Sequence, residues 1–238
     1  MTDYYGLVRS EIAPLLPPRL GSGGGRALDF GCGAGETLNW LRQIYPAAEM
    51  VGIDANRALQ ERLQRNADRA IFIEPHDRLP ANLGQFDLIL ALDVLEHLAD
   101  PLSMLRQLVA QLAPGGSVIV SLPNVAHYSV VMPLLMRRRF TYQESGILDR
   151  THLRFFVEDT ALALMNDAGL VVDAGVVNGL QRRRNQLINL ASFGLLRHRM
   201  VEQYIMRGHV AGGAFAQARV AWQATGRHTA ERARQIGK

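Results

Sequence analysis

Short apolar runs recur along this chain, each followed by a segment whose apolar residues fall at helical spacing, and few folds accept that alternation. RALDF (26–30), EMVGID (49–54), AIFIE (70–74), FDLILAL (86–92), SVIVSLP (117–123) and LVVDAGVV (170–177) read as strands. Runs this apolar suit a parallel sheet covered on both faces rather than one with a wet side. The intervening segments supply the covers. ETLNWLRQIYP carries Leu38, Leu41, Ile44 and Tyr45 at helical spacing and stops at Pro46, and PLSMLRQLVAQLAP (101–114) has proline at its start and Gly115 and Gly116 beyond its end. NRALQERLQRNAD and VEDTALALMNDAG (157–169) are further helices, and AFAQARVAWQATG (214–226) reads as the last strand. The expected fold is α/β, a doubly wound, seven-stranded, mostly parallel sheet.

The 238 residues fit one large domain with additions. An amphipathic helix, YYGLVRSEIAPLL, and the linker GSGGG form residues 1–25; the main domain spans 26–226; residues 227–238 are a polar tail. Insertions at about 124–156 and 178–210 are expected to be helical lids over the carboxyl ends of the strands, where ligands bind in open α/β sheets. Cys32 is the only cysteine, which excludes a disulfide framework and suits a reducing cytoplasm. No signal peptide is evident, and no apolar run approaches the roughly 20 residues of a membrane span. A net charge of +4, with arginine triplets at 137–139 and 182–184, reads as solvated basic faces and does not require nucleic acid as a partner.

The stretch ALDFGCGAGE joins the first strand to the first helix through Gly31, Gly33 and Gly35. Glycines there allow a sharp turn and bring backbone close to a ligand. A dinucleotide turn would read Gly-x-Gly-x-x-Gly, but its third glycine position holds Glu36, and Asp29 precedes the turn. Two acids disfavour a pyrophosphate and suit a ligand that is cationic near the turn, such as S-adenosylmethionine.

LDFGCGAG, the acid of VGIDAN, FDLILALDVLEHLADP and LAPGGSVIVSLPN occur in order, and together they resemble the class I S-adenosylmethionine-dependent methyltransferases of the broad type-11 and type-23 group, over about residues 26–178. The resemblance implies a Rossmann-like methyltransferase fold. It also implies that Gly31, Gly33 and Gly35 line the cofactor's methionine portion, that Asp29 supports its amino group, and that Asp54 accepts hydrogen bonds from the ribose hydroxyls. One place departs from the family pattern: the acid-bearing GD that meets the adenine amine after the third strand is replaced by IEPHDRLP, where Asp77, ahead of Glu74, is the candidate substitute.

LDVLEHLADP adds Asp93, Glu96 and His97 at i, i+3 and i+4, one face of a helical turn. Similar E-x-x-E-H segments bind a divalent cation in small-RNA 2'-O-methyltransferases and ubiquinone-pathway O-methyltransferases. By that likeness Asp93, Glu96, His97 and the downstream His152 of GILDRTHLRFF are candidate ligands of a cation such as magnesium, with Asp93 standing where those enzymes carry glutamate. The alternative is that Glu96 and His97 only order the loop beside the cofactor.

Methyl transfer from a sulfonium needs chiefly alignment, but an alcohol acceptor gains from a base within hydrogen-bond reach. His152 is the first candidate, His97 the second and His127 the third. The expected function is O-methylation of a small polar or glycosylated acceptor, with Arg150, Arg154 and Arg137 to Arg139 available to an anionic group on it. Two alternatives stay open: a nicotinamide-dependent oxidoreductase, which Glu36 and the lack of Tyr-x-x-x-Lys disfavour since Lys238 is the only lysine, and an S-adenosylmethionine-binding subunit without turnover.

Overall fold

The computed structural model describes residues 6–21, 23–180, 183–210, 220 and 222–224. Strands β1 (Arg26–Phe30), β2 (Glu49–Asp54), β3 (Arg69–Phe72), β4 (Phe86–Leu92), β5 (Leu112–Pro123), β6 (Leu170–Asn178), β7 (Gln203–Val210) and β8 (Trp222–Ala224) form one sheet in the order β3-β2-β1-β4-β5-β7-β6-β8. All pairings are parallel except those of β7, which runs antiparallel to both β5 and β6. Alternate residues feed two separate cores. Leu28, Phe30, Val51 and Ile53 pack on one face, and Ala27, Met50, Leu88 and Leu90 on the other. Truncating a buried leucine of either set to alanine is worth about 2–5 kcal/mol.

Helices α1 (Glu36–Ile44), α2 (Gln60–Asn66), α3 (Pro101–Val109) and α5 (Glu158–Asp167) accompany the sheet, while α4 (Tyr128–Arg137) and α6 (Arg183–Ala191) belong to the insertions. The helix α1 buries Thr37, Leu38 and Leu41 and ends before Pro46. At the start of α3 the Asp100 carboxylate accepts the Ser103 N–H at 3.0 Å, and Pro101 occupies a position with no N–H to lose.

Three expectations change. The sheet has eight strands, and the extra one, β7, lies inside the segment expected to be the second lid, so that insertion is confined to about 179–202. Its signal was the run Tyr204, Ile205 and Met206, all buried because β7 sits between two strands with both faces covered. Of the stretch expected as the last strand, Trp222–Ala224 form β8, whereas 214–219, 221 and 225–226 fall outside the described residues, as does the tail. Among the described N-terminal residues, Ser10–Leu15 form a 3-10 helix, not an α-helix, that buries Ile12 and Leu15 beneath the sheet; Pro14 and Pro17 leave little room for α-helix. Tyr4 and Tyr5 lie outside the described residues. Among the described residues no helix is long and apolar enough to cross a membrane.

Sheet order reverses between β1 and β4, and the carboxyl ends of these strands form the crevice in which open α/β sheets bind ligands.

Candidate functional site

The turn after β1 places Gly31, Gly33 and Gly35 at φ of 78°, 55° and 80°, a region that side chains rarely enter. A β-carbon on Gly31 would lie 2.5 Å from Cγ2 of Val94, a branched side chain with little freedom to retreat. The turn is pinned to β2: the Gly31 and Cys32 N–H groups donate to the Ile53 carbonyl at 2.8 and 3.2 Å. The Asp54 carboxylate takes the Gly33 N–H on one oxygen and the Asn56 N–H on the other, both at 2.7 Å. Two amide donors fix its plane and leave further acceptor positions on both oxygens.

Gly31, Gly33, Asp29 and Asp54 line a cavity of about 630 Å³. Gly35 does not line it. That residue is the left-handed cap of α1, where a β-carbon would lie 2.8 Å from Leu63 Cδ1, so its bareness serves the packing of α1 on α2 rather than a ligand. Glu36 is likewise turned to α2 and pairs with Arg62 at 3.2 Å. The negative character of the turn is carried by Asp29, Asp54 and Asp93 instead. Asp29 is 3% exposed, and burial, with the neighbouring charge of Asp54, pushes its carboxyl up to about 7 against the pull of Arg9. Asp77 does not reach the cavity either: its carboxylate accepts the Glu74 N–H at 3.0 Å, closing its own turn. Glu74, the less favoured candidate, is the acid that lines the wall.

After β4 the chain does not continue as one helical turn. Asp93 stands at φ 53°, and a 3-10 turn follows over Leu95–His97. Asp93 therefore parts from Glu96 and His97. Its carboxylate accepts Ser121 Oγ at 2.7 Å and the Gln203 amide on one oxygen, and pairs with Arg9 at 2.5 Å through the other. As a cation ligand Asp93 is thus a correction: its charge is already met by a guanidinium.

Glu96, His97 and His152 remain together, with one ligand atom of each within 4.8 Å of the others. The loop bearing His152 is drawn in by Glu96, whose main-chain carbonyl accepts the Leu153 and Arg154 N–H groups at 2.8 and 3.0 Å. Hydrogen-bond partners fix both tautomers. His152 Nδ1 lies 3.1 Å from the Ile147 carbonyl, which can only accept, so the neutral ring carries its hydrogen there and keeps the Nε2 lone pair, 4.0 Å from Glu96 Oε1. Thr151 gives its hydroxyl hydrogen to Asp149 at 2.6 Å and so accepts from His97 Nδ1 at 3.0 Å, which leaves His97 Nε2 basic as well. The two rings meet edge to face with centroids 4.7 Å apart.

Burial and then the charge of Asp93 push the Glu96 carboxyl far up, and its Oε2 is buried without a hydrogen-bond partner. Burial followed by the neighbouring His152 lowers His97. One carboxylate oxygen without a partner beside two imidazole Nε2 lone pairs is a donor set that fits a divalent cation with three protein ligands.

His152, Glu96 and Asp93 also border a second cavity, of about 430 Å³, together with His127, Asn178 and Glu202. His127 caps α4, with Nδ1 2.7 Å from Ser129 Oγ. Asp93 is common to both cavities. The arginines expected to meet an anionic acceptor do not line the second one: Arg150 pairs with Glu144 at 2.5 Å, Arg154 donates to the Ala99 carbonyl, and Arg137 to Arg139 point to solvent.

Sequence reasoning missed Arg9, which lines the first cavity and bridges Asp93, Glu11 and Gln203. It lies in an irregular segment far from any motif, so no local pattern marks it.

Comparison with known proteins agrees with this architecture. The family described as "Methyltransferase domain" matches residues 3–174. A 37.1 kDa protein in transposon TN4556 of Streptomyces fradiae is 27% identical over 91% of this chain and 66% of its own length. The ubiquinone biosynthesis O-methyltransferase of Marinobacter nauticus is 34% identical over 48% of this chain and 52% of its own. The chain thus spans less than two thirds of these relatives. Among solved structures, an O-methyltransferase from a trans-AT PKS multienzyme of Brevibacillus brevis, in complex with S-adenosyl-L-homocysteine, shares the fold at a TM-score of 0.53 and 14% identity, covering 90% of this chain and 71% of that one. The antiparallel β7 between β5 and β6 also departs from the all-parallel order of a dinucleotide-binding sheet. The chain belongs to the methyltransferase domain family, among the class I S-adenosylmethionine-dependent methyltransferases.

Proposed function

We propose that the protein transfers a methyl group from S-adenosylmethionine to a hydroxyl oxygen of a small polar or glycosylated acceptor. The observation that carries this reading is the pair of cavities meeting at Asp93, with the basic Nε2 atoms of His97 and His152 at their junction. In this reading the cofactor fills the larger cavity. Asp54 receives the ribose hydroxyls, Asp29 the ammonium, Glu74 the adenine amine, and Arg9 the methionine carboxylate, for which a guanidinium is the natural partner.

The acceptor occupies the smaller cavity with its hydroxyl toward His152. Nε2 takes the proton as oxygen attacks the methyl carbon, and the Nδ1 bond to Ile147 holds the ring in the required tautomer. The lining is rich in hydrogen-bond acceptors, which suits a hydroxylated acceptor better than an anionic one. The unpartnered Oε2 of Glu96 supports a second form of the same reaction, in which Glu96, His97 and His152 hold a divalent cation and His127 is the remaining base. Such a cation would lower the pKa of the acceptor hydroxyl. The naming of one relative as an O-methyltransferase supports oxygen as the nucleophile.

Calorimetric titration with S-adenosylhomocysteine and with NAD, followed by mass analysis of glycosylated alcohols incubated with S-adenosylmethionine, tests the proposal. Homocysteine-nucleoside binding, no NAD binding and acceptors heavier by one methylene are expected. Tight cofactor binding with no acceptor ever methylated would favour a subunit without turnover, and NAD binding would remove the reading altogether.

A further inference from the structure

We infer that the two insertions form a docking face for an anionic lipid bilayer, turned toward the same edge of the sheet as the cavities. Both emerge from the carboxyl ends of β5 and β6, and their roots are tied together by Asn124, whose side-chain amide donates to the carbonyls of His198 and Val201 at 2.9 and 2.8 Å. What they expose is unusual. On α4, Leu135 and Met136 stand outward while Val130 faces the protein. On α6, Asn185 is buried and Leu187 and Leu190, one turn apart, are exposed; beyond the helix Phe193 is 95% and Leu195 84% exposed.

Charge decides the occupant. The insertions at 124–156 and 179–202 contain five arginines each, against Glu144 and Asp149 in the first and Glu202 in the second. Arg137, Arg138 and Arg139 follow directly on the exposed end of α4, and Arg199 follows the exposed leucines beyond α6. Large exposed apolar side chains with Arg137, Arg138, Arg139 and Arg199 beside them in the chain, in insertions where arginine outnumbers acid ten to three, match a headgroup and acyl boundary of negative surface potential. A second copy of this chain fits poorly, because a two-fold contact would set arginine against arginine. Single-stranded nucleic acid would use the cations but gains little from aliphatic leucines and methionines in place of stacking rings.

Sedimentation with vesicles tests the inference without reference to catalysis. The full chain should bind vesicles of equal phosphatidylcholine and phosphatidylglycerol, and bind pure phosphatidylcholine at least about tenfold more weakly, with the difference shrinking as salt rises. At about fivefold per arginine near the surface, R137Q/R138Q/R139Q should weaken partitioning by about 100-fold. F193S/L195S should weaken it at least about tenfold, with circular dichroism and S-adenosylhomocysteine affinity unchanged in both variants. Absence of binding to the anionic vesicles overturns the proposal. So does binding that is indifferent to F193S/L195S, self-association in ultracentrifugation that these substitutions abolish, or displacement from vesicles by a single-stranded oligonucleotide at lower concentration than by phosphatidylglycerol vesicles.

Discussion

With Asp29 receiving the ligand ammonium, as proposed, cofactor binding becomes a proton-linked event whose size follows from the burial of that carboxyl. In the free protein its carboxyl is pushed up from 3.8 to about 7, so near neutrality about half the molecules carry a proton where a ligand ammonium must be met. An ammonium beside the carboxylate reverses that shift, and binding then expels the proton. Well below pH 7 the affinity for S-adenosylhomocysteine should fall about tenfold per pH unit, a loss of roughly 50-fold between pH 7 and 5. Titration calorimetry in two buffers of different ionisation enthalpy should record nearly one proton released at pH 6 and almost none at pH 8.5. The same residue acts on stability with a fixed sign. Because its folded pKa is raised, its contribution is fully present below pH 3.8 and is lost as pH rises through about 7, a span of about 4 kcal/mol. Glu96 is shifted in the same direction, so the informative quantity is the difference between wild type and Asp29→Asn across that window. The variant should show neither the proton release nor its share of the pH slope, and should bind the ligand about 10- to 100-fold more weakly at pH 8. Equal proton release by the variant, or none by the wild type at pH 6, would refute the reasoning.

Asp54→Ala should weaken S-adenosylhomocysteine binding about 100-fold in equilibrium dialysis, since it removes the ribose acceptors and frees the Gly33 and Asn56 amides that shape the turn. Arg9→Met should matter only while the ligand keeps its carboxylate: a loss of about 10- to 100-fold for S-adenosylhomocysteine, and little for its decarboxylated analogue, in a binding cycle of two proteins and two ligands. His152→Ala should lower turnover about 10²- to 10⁴-fold with cofactor affinity unchanged, as single-turnover assays on a methylated acceptor would read. Manganese or zinc added to the free protein should bind in calorimetry at one site, and Glu96→Gln, which keeps the shape and removes the anion, should abolish that heat.

How much of this was written in the chain can be judged residue by residue. The sheet and its glycine turn were legible because their physics is local: apolar runs buried on both faces, and glycines where φ is positive. Asp54 was legible for the same reason, standing at a strand end beside the turn it braces. That Gly35 and Glu36 face α2 rather than the cavity had no signal, because their partners, Leu63 and Arg62, belong to that helix and no spacing announces a contact between helices. Asp93 was assigned to a helical turn, yet its left-handed backbone follows from bonds to Ser121, Gln203 and Arg9, all distant in sequence. The strand β7 was hidden inside an expected lid because three buried residues in a row suit a central strand and a helix equally well. The grouping of His152 with Glu96 was expected from the motif likeness alone; the loop crossing to the Glu96 main-chain carbonyl that brings it about has no local signal.

The contact of Gln203 with Asp93 and Arg9 has a consequence for the newly made protein. Arg9 leaves the ribosome before Asp93, and Gln203 follows only with β7. A nascent chain that has just completed β6 holds the whole glycine turn but still lacks the amide that joins the other two, and β5 still has an unpaired edge. Completion of the Arg9–Asp93–Gln203 cluster therefore coincides with the pairing of β5, and a product truncated before β7 would be adhesive along that edge.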